Sequence, residues 1–230
     1  MRRAGKNMLK NRFYALFVFA IIVIYGCAAP PKEVKLIYPS PPEEPRLVYL
    51  KSYSGESNFK KKGFLEFVLG EEQFRAELRK PYGVAAYGDK VYVTDTGSAG
   101  VFVFDLKEQK VTFMGDKELG KLALPIGVAV TSDGIVFVSD AKQKRVFGYD
   151  ANGDLKIALG KKDEFKNPAG IAINNGLGRL YIVDSYGHFV HAYSTKGEPL
   201  FTFGKRGDKD GEFNFPSNIA VERKTDNVYV

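Results

Sequence analysis

The sequence predicts an all-β chain built of four-stranded antiparallel units, and three observations carry that prediction. First, a segment opening with proline recurs about every 44 residues: Pro81, Pro125, Pro168 and Pro216 stand 44, 43 and 48 residues apart. Second, four short apolar or alternating runs follow each of the first three prolines, with Gly-containing turns such as residues 151–154 and 195–198 between the last two runs. Third, the composition suits many short strands: 24 Gly and 11 Pro supply turns, 18 Phe and 13 Tyr supply aromatic bulk without any Trp, and 44% of residues are apolar. Four antiparallel strands in a unit of about 40–50 residues is the signature of a β-propeller blade.

The N-terminal segment is read as an address. Arg2, Arg3, Lys6, Lys10 and Arg12 place five positive charges before residue 13, followed by the uncharged stretch Phe13 to Tyr25 and then Gly26-Cys27-Ala28-Ala29. A basic start, a short apolar run and small residues describe an export signal over residues 1–26. The other reading is a membrane-spanning helix, which needs about 20 apolar residues; extending the run to Pro31 supplies 19. The total charge of +7 falls to +2 once the five basic residues are removed. A chain that close to neutral has no long-range attraction to phosphate backbones, which argues against nucleic acid as a partner.

The segment Ile24-Tyr25-Gly26-Cys27 resembles the bacterial lipoprotein box, with Tyr25 bulkier than its usual occupant. The resemblance implies cleavage before Cys27, lipid on its sulfur and new amino group, and a membrane anchor made of several acyl chains, which hold where one alone binds marginally. Ala28 after the cysteine resembles the sorting pattern for the outer rather than the inner membrane. The expected location is therefore the bacterial cell envelope. Residues 27–45 are rich in proline and read either as an extended, semi-rigid tether or as a segment without a spacing role.

Residues 46–79 precede the first proline-led unit. Arg46 to Gly55 alternates like a strand without an earlier partner, and is expected to be the outermost strand of a final blade that joins both chain ends. Residues 56–79 are expected to hold a short helix or a strand with an insertion.

From residue 80 to 230 the units align. Their second runs, "VYVTD", "VFVSD" and "LYIVD", alternate β-branched and aromatic residues, as a pleated surface between neighbours requires, and close on Asp95, Asp140 and Asp184. Proline costs no ladder bond at a strand's first position. Gly83, Gly127 and Gly170, two residues later, permit close backbone approach near a crowded axis; the fourth unit has Asn218, a residue tolerant of left-handed backbone. This pattern resembles the NHL repeat, with three units in register and a fourth that stops after its second run. The resemblance implies a six-bladed propeller, often a binding platform and sometimes an enzyme. Finishing six blades at this period would take about 110 further residues, so the chain reads as an open arc of three complete blades and part of a fourth, with the full-length protein a monomer. A closed ring of four blades is the alternative.

In such a blade the start of the first strand and the end of the second lie on one side. The proposed binding rim is thus Tyr82, Asp95, Thr96, Asp140, Lys142 and Asp184, continued by Tyr186, His188, Arg206, Asp208 and Asn218. The plain reading of the three aspartates is structural, their carboxylates accepting N–H bonds from nearby loops. His188 and His191, the only histidines, are expected to be solvent-exposed and to point to opposite faces, a poor pair where a catalytic zinc wants three protein ligands. Residues 204–213, "GKRGDKDGEF", carry too many basic residues for a calcium loop and read as an exposed connection. No nucleophile elbow, phosphate loop or haem motif is found. The sequence therefore points to no cofactor, no metal and no catalytic residue, and to a lipid-anchored scaffold that binds a protein or small ligand on its rim. The alternative is a lactonase-like hydrolase or lyase with a metal at the channel mouth.

Overall fold

The structure is a computed structural model that describes residues 36–59 and 77–230. The export signal and Cys27 lie outside the described residues, as do residues 60–76 of the segment 56–79 expected to hold a short helix or a strand with an insertion; the described start of that segment forms a 3₁₀ turn, Glu56–Asn58. The chain divides into two compact units between Ser52 and Tyr53.

In the first unit, β1 (Ile37–Tyr38) pairs antiparallel with β2 (Leu47–Val48), closed by the N–H of Arg46 donating to Tyr38 O and that of Tyr49 to Leu36 O. A stretch expected to run extended therefore doubles back. The segment from Arg46, expected as a blade's outer strand, has its ladder with Ile37–Tyr38 and loses regular structure after Val48.

The second unit is built of blades. The first holds β3 (Pro81–Tyr87), β4 (Lys90–Asp95), β5 (Gly100–Asp105) and β6 (Lys110–Met114), joined in that order. The second holds β7 (Pro125–Val130), β8 (Val136–Asp140), β9 (Arg145–Tyr149) and β10 (Leu155–Leu159). The third holds β11 (Pro168–Asn174), β12 (Arg179–Asp184), β13 (Phe189–Ser194) and β14 (Pro199–Phe203). The last pair, β15 (Ala220–Val221) and β16 (Val228–Tyr229), forms a two-stranded ladder. This is the partial β-propeller that the repeat predicts: Pro81, Pro125 and Pro168 open first strands and Asp95, Asp140 and Asp184 close second ones, while Pro216 lies four residues ahead of β15.

The ladder registers repeat as well. Pro81 faces Asp95, Pro125 faces Asp140 and Pro168 faces Asp184, and in each case the register shifts before the pairing resumes. Such a bulge bends the strand locally and re-aims its side chains. The blades then pack face to face. Tyr92, Val101 and Val103 of the first meet Val128, Val138 and Phe147 of the second. Phe137 and Val146 of the second meet Ile171, Leu180 and Ile182 of the third, and Tyr181, Val183 and Val190 of the third meet Ile219. Each fully buried side chain of this kind stabilises the fold by roughly 1.5–3 kcal/mol. On the far face of the first blade, Tyr53 and Phe59 lay their rings over Phe104 at 5.8 and 6.4 Å.

The glycine two residues after each of Pro81, Pro125 and Pro168 is required by the neighbouring unit. A Cβ on Gly83 would stand 2.4 Å from Ile126 O, one on Gly127 2.7 Å from Ala169 O, and one on Gly170 2.7 Å from Asn218 Cα. None of these glycines has a left-handed backbone, and neither has Asn218, so the left-handed role expected for Asn218 is replaced by close approach. A hydroxyl one residue before the aspartate rivets the same contact. The N–H of Gly83 donates to Thr94 Oγ1, which donates to Ile126 O, both at 2.7 Å. Ser139 repeats the relay between the N–H of Gly127 and Ala169 O. The third unit has Val183 at that position, and the N–H of Gly170 donates directly to Ser217 O at 3.0 Å.

Candidate binding rim

The three aspartates are wholly buried and serve the backbone. Asp95 Oδ2 accepts the N–H groups of Arg79 and Lys80, both at 2.7 Å, while Oδ1 accepts that of Ser98. Asp140 Oδ2 accepts from Ala123 and Leu124, and Oδ1 from Gln143. Asp184 accepts from Lys166, Asn167 and Gly187. Each carboxylate thus ties the loop that enters its blade to the turn that leaves its second strand. With three N–H donors apiece, these aspartates are removed from the exposed rim on which the sequence placed them.

Every one of these turns ends alike. The fourth residue after the aspartate has positive φ: Ala99 at 53°, Lys144 at 55° and His188 at 63°. Histidine is among the residues enriched in this region of backbone space, and His188 therefore sits in a turn, one residue ahead of β13.

Both histidines are buried, against the expectation of exposure. His188 lies 4.6 Å from the ring of Phe215 and its Nδ1 accepts the N–H of Phe215 at 3.2 Å. His191 is enclosed by Phe165, Phe189 and Tyr193. Its Nε2 has no hydrogen-bond partner among the described residues and stands 3.9 Å from Asp184 Oδ2, beyond hydrogen-bond reach. Sequence alternation missed this because the covering rings come from a separate loop, through Phe165, as well as from β13 itself. Burial alone would push the Asp184 carboxyl up. The adjacent imidazole of His191 and the N–H groups of Lys166, Asn167 and Gly187 outweigh it and hold the group below the ordinary carboxylate value.

The other residues stand on the surface. Tyr82, Tyr186 and Phe215 are 66%, 59% and 54% exposed, more than a buried aromatic pair would allow. The rings of Tyr186 and Phe215 meet edge to face at 6.0 Å, so the structure brings Tyr186, His188 and Phe215 into one cluster. Phe215 was not singled out in the sequence, although it precedes Pro216 where other units carry Lys80, Leu124 or Asn167. Lys142 is exposed and Thr96 half-buried, with Thr96 Oγ1 donating to Lys80 O. Arg206 and Asp208 are exposed in a connection braced by an ion pair between Lys205 and Glu212 at 3.2 Å. Asn218 is exposed, and its Oδ1 accepts the N–H of Ile219. Among the described residues no group of three His, Cys, Asp or Glu side chains has the arrangement of a metal site.

Comparison with known proteins places this architecture. No protein-family model matches the sequence. The chain is similar to Protein brain tumor of Drosophila melanogaster, 25% identical over 92 residues, which is 40% of this chain and 8% of that protein. Among solved structures it resembles a catalytically inactive virginiamycin B lyase from Staphylococcus aureus with quinupristin, at a TM-score of 0.53 and 19% identity over 65% of this chain and 47% of the lyase. It also resembles a chain of a nidogen/laminin complex, at a TM-score of 0.52 and 18% identity over 62% of this chain and 52% of that one. The hydrazine synthase of Kuenenia stuttgartiensis matches at a TM-score of 0.51 and 19% identity, over 64% of this chain and 40% of that one. The chain thus spans about half the length of these structures. At these identities the likeness is one of fold, and the class it defines is the β-propeller of four-stranded blades.

Proposed function

We propose that this chain is an exported, lipid-anchored propeller whose rim at the proline end of the blades is a docking platform for a protein partner. One contrast supports the reading. The carboxylates of Asp95, Asp140 and Asp184 are buried and spent on backbone N–H groups, while Tyr82, Tyr186 and Phe215 stand exposed. Buried carboxylates fix the loops but do no chemistry on a ligand. Exposed aromatics on a fixed frame, with Arg206 also exposed among the rim residues, match residue types enriched in protein interfaces. The anchor rests on Cys27 and the basic and apolar residues before it, which would hold the platform at an envelope membrane.

A photo-crosslinking amino acid at Tyr186 tests the platform. It should capture a discrete protein in the cell envelope, and Tyr82→Ala with Tyr186→Ala should abolish co-purification of that protein at unchanged melting temperature. Crosslinking no stronger than from exposed Lys107 would overturn the platform. The anchor has its own test: the wild-type chain should carry label from a fatty acid and partition into detergent, and Cys27→Ser should lose both. A labelled Cys27→Ser variant would overturn lipid attachment at that residue.

A further inference from the structure

The first strands of three blades and β15 also meet away from the proline rim, toward the far ends of β3, β7 and β11. A depression of about 320 Å³ opens there. That volume is at the small end of the range of about 300–1,000 Å³ typical of ligand pockets. Small and aliphatic side chains make up much of its lining, among them Ala86, Ala129, Ile173 and Val221. Two opposite charges, Arg223 and Asp226, line the same space.

These two charges do not satisfy each other. Arg223 makes no ion pair among the described residues, and Asp226 is held to Asn174, whose Nδ2 donates to Asp226 Oδ1 at 2.7 Å. The second carboxylate oxygen of Asp226 has no partner among the described residues. Asn175, also in the lining, accepts the N–H of Ser132 through Oδ1 at 2.8 Å, which leaves its amide NH₂ as a donor. A ligand here meets one guanidinium, one amide donor, one free carboxylate oxygen and an apolar surface. A simple anion would face Asp226, and a simple cation would face Arg223. A molecule bearing both charges satisfies the two at once, and charge-assisted hydrogen bonds of this kind are the stronger ones.

We propose that this depression binds a small zwitterion with an apolar side chain, namely an α-amino acid of the leucine or phenylalanine class. Arg223 and Asn175 take its carboxylate, Asp226 takes its ammonium group, and Ala86, Ala129 and Ile173 receive its side chain. The site is separate from the aromatic rim, so either proposal can fail without the other.

Calorimetric titration of the 230-residue chain with L-leucine and L-phenylalanine tests it, using N-acetyl-L-leucine, which lacks the cation, and L-leucinamide, which lacks the anion. At least one of the two amino acids should bind saturably, and both derivatives should bind at least tenfold more weakly than leucine if leucine is the ligand. For a phenylalanine ligand, the matching phenylalanine derivatives serve the same purpose. Arg223→Met should weaken amino-acid binding at least tenfold and erase the preference over the amide. Asp226→Asn, whose side-chain oxygen can still accept from Asn174, should erase the preference over the N-acetyl form. Ala86 is exposed, so Ala86→Leu should fill the depression and abolish binding while the melting temperature stays unchanged. Absence of saturable binding by both amino acids would overturn the proposal, as would binding indifferent to Arg223→Met and Ala86→Leu.

Discussion

At the scale of single residues, Asp184 shows how a carboxylate near a histidine can be structural. Its group is held below the ordinary carboxylate value, whereas in the unfolded chain it returns to about 3.9. A depressed carboxyl adds stability that is complete above the unfolded value and is lost as pH falls through the folded one. Unfolding free energy should therefore be flat in this contribution at neutral pH and fall below about pH 4. Asp184→Asn presents an NH₂ where N–H donors converge, so it should cost on the order of 2–3 kcal/mol at pH 7 and make the acid limb shallower. Denaturant titrations of both proteins between pH 7 and pH 3 measure the two effects; identical acid limbs would refute the assignment. The aspartates were legible in the sequence because they recur at the same place, and their backbone role followed from that. The histidines were not, because their burial depends on Phe215 and Phe165, which lie 27 and 26 residues away in the chain.

At the scale of elements, proline, glycine, hydroxyl and aspartate form one device that aligns a blade and fastens it to the next. Gly127→Ala would place a methyl group 2.7 Å from Ala169 O and 2.9 Å from Ile171 N. Backbone cannot retreat from such contacts as a flexible side chain can, so the substitution should cost about 1–3 kcal/mol or more. Ser139→Ala leaves the N–H of Gly127 without its acceptor in a buried setting and should cost about 1–3 kcal/mol. Ser139→Thr should be tolerated with a smaller loss, since Thr94 performs the same relay one blade earlier. Thermal melts of the three variants check the order, and a Thr variant as damaged as the Ala variant would contradict the relay. The strands themselves were readable from period-two alternation and the recurring prolines. The short hairpin β1–β2 was not, because two-residue strands carry too little pattern to reveal a partner.

At the scale of the whole molecule, stability in a stacked array comes from the interfaces between neighbours. The second blade buries both of its faces, through Val138 and Phe147 on one side and Phe137 and Val146 on the other. The ladder of β15 and β16 spans two residues per strand and leaves Tyr229 exposed. Hydrogen exchange should accordingly be slowest in β8 and β9 and fastest in β15 and β16; uniform protection across the blades would contradict this. The depression lined by Ala86 and Arg223 belongs to this scale too, and no reading of one repeat could reveal it, because four successive units supply its lining. The buried aspartates have one more consequence. They grip the rim loops through main-chain N–H groups, which every residue except proline possesses, so the grip is blind to the side chains it holds. Positions 79, 80, 123, 124, 166 and 167 can change in charge, size or polarity without altering the course of the loop. On the proposed docking function, a rim held in this way keeps its shape while its contacts change, so a new partner needs new side chains and no new frame.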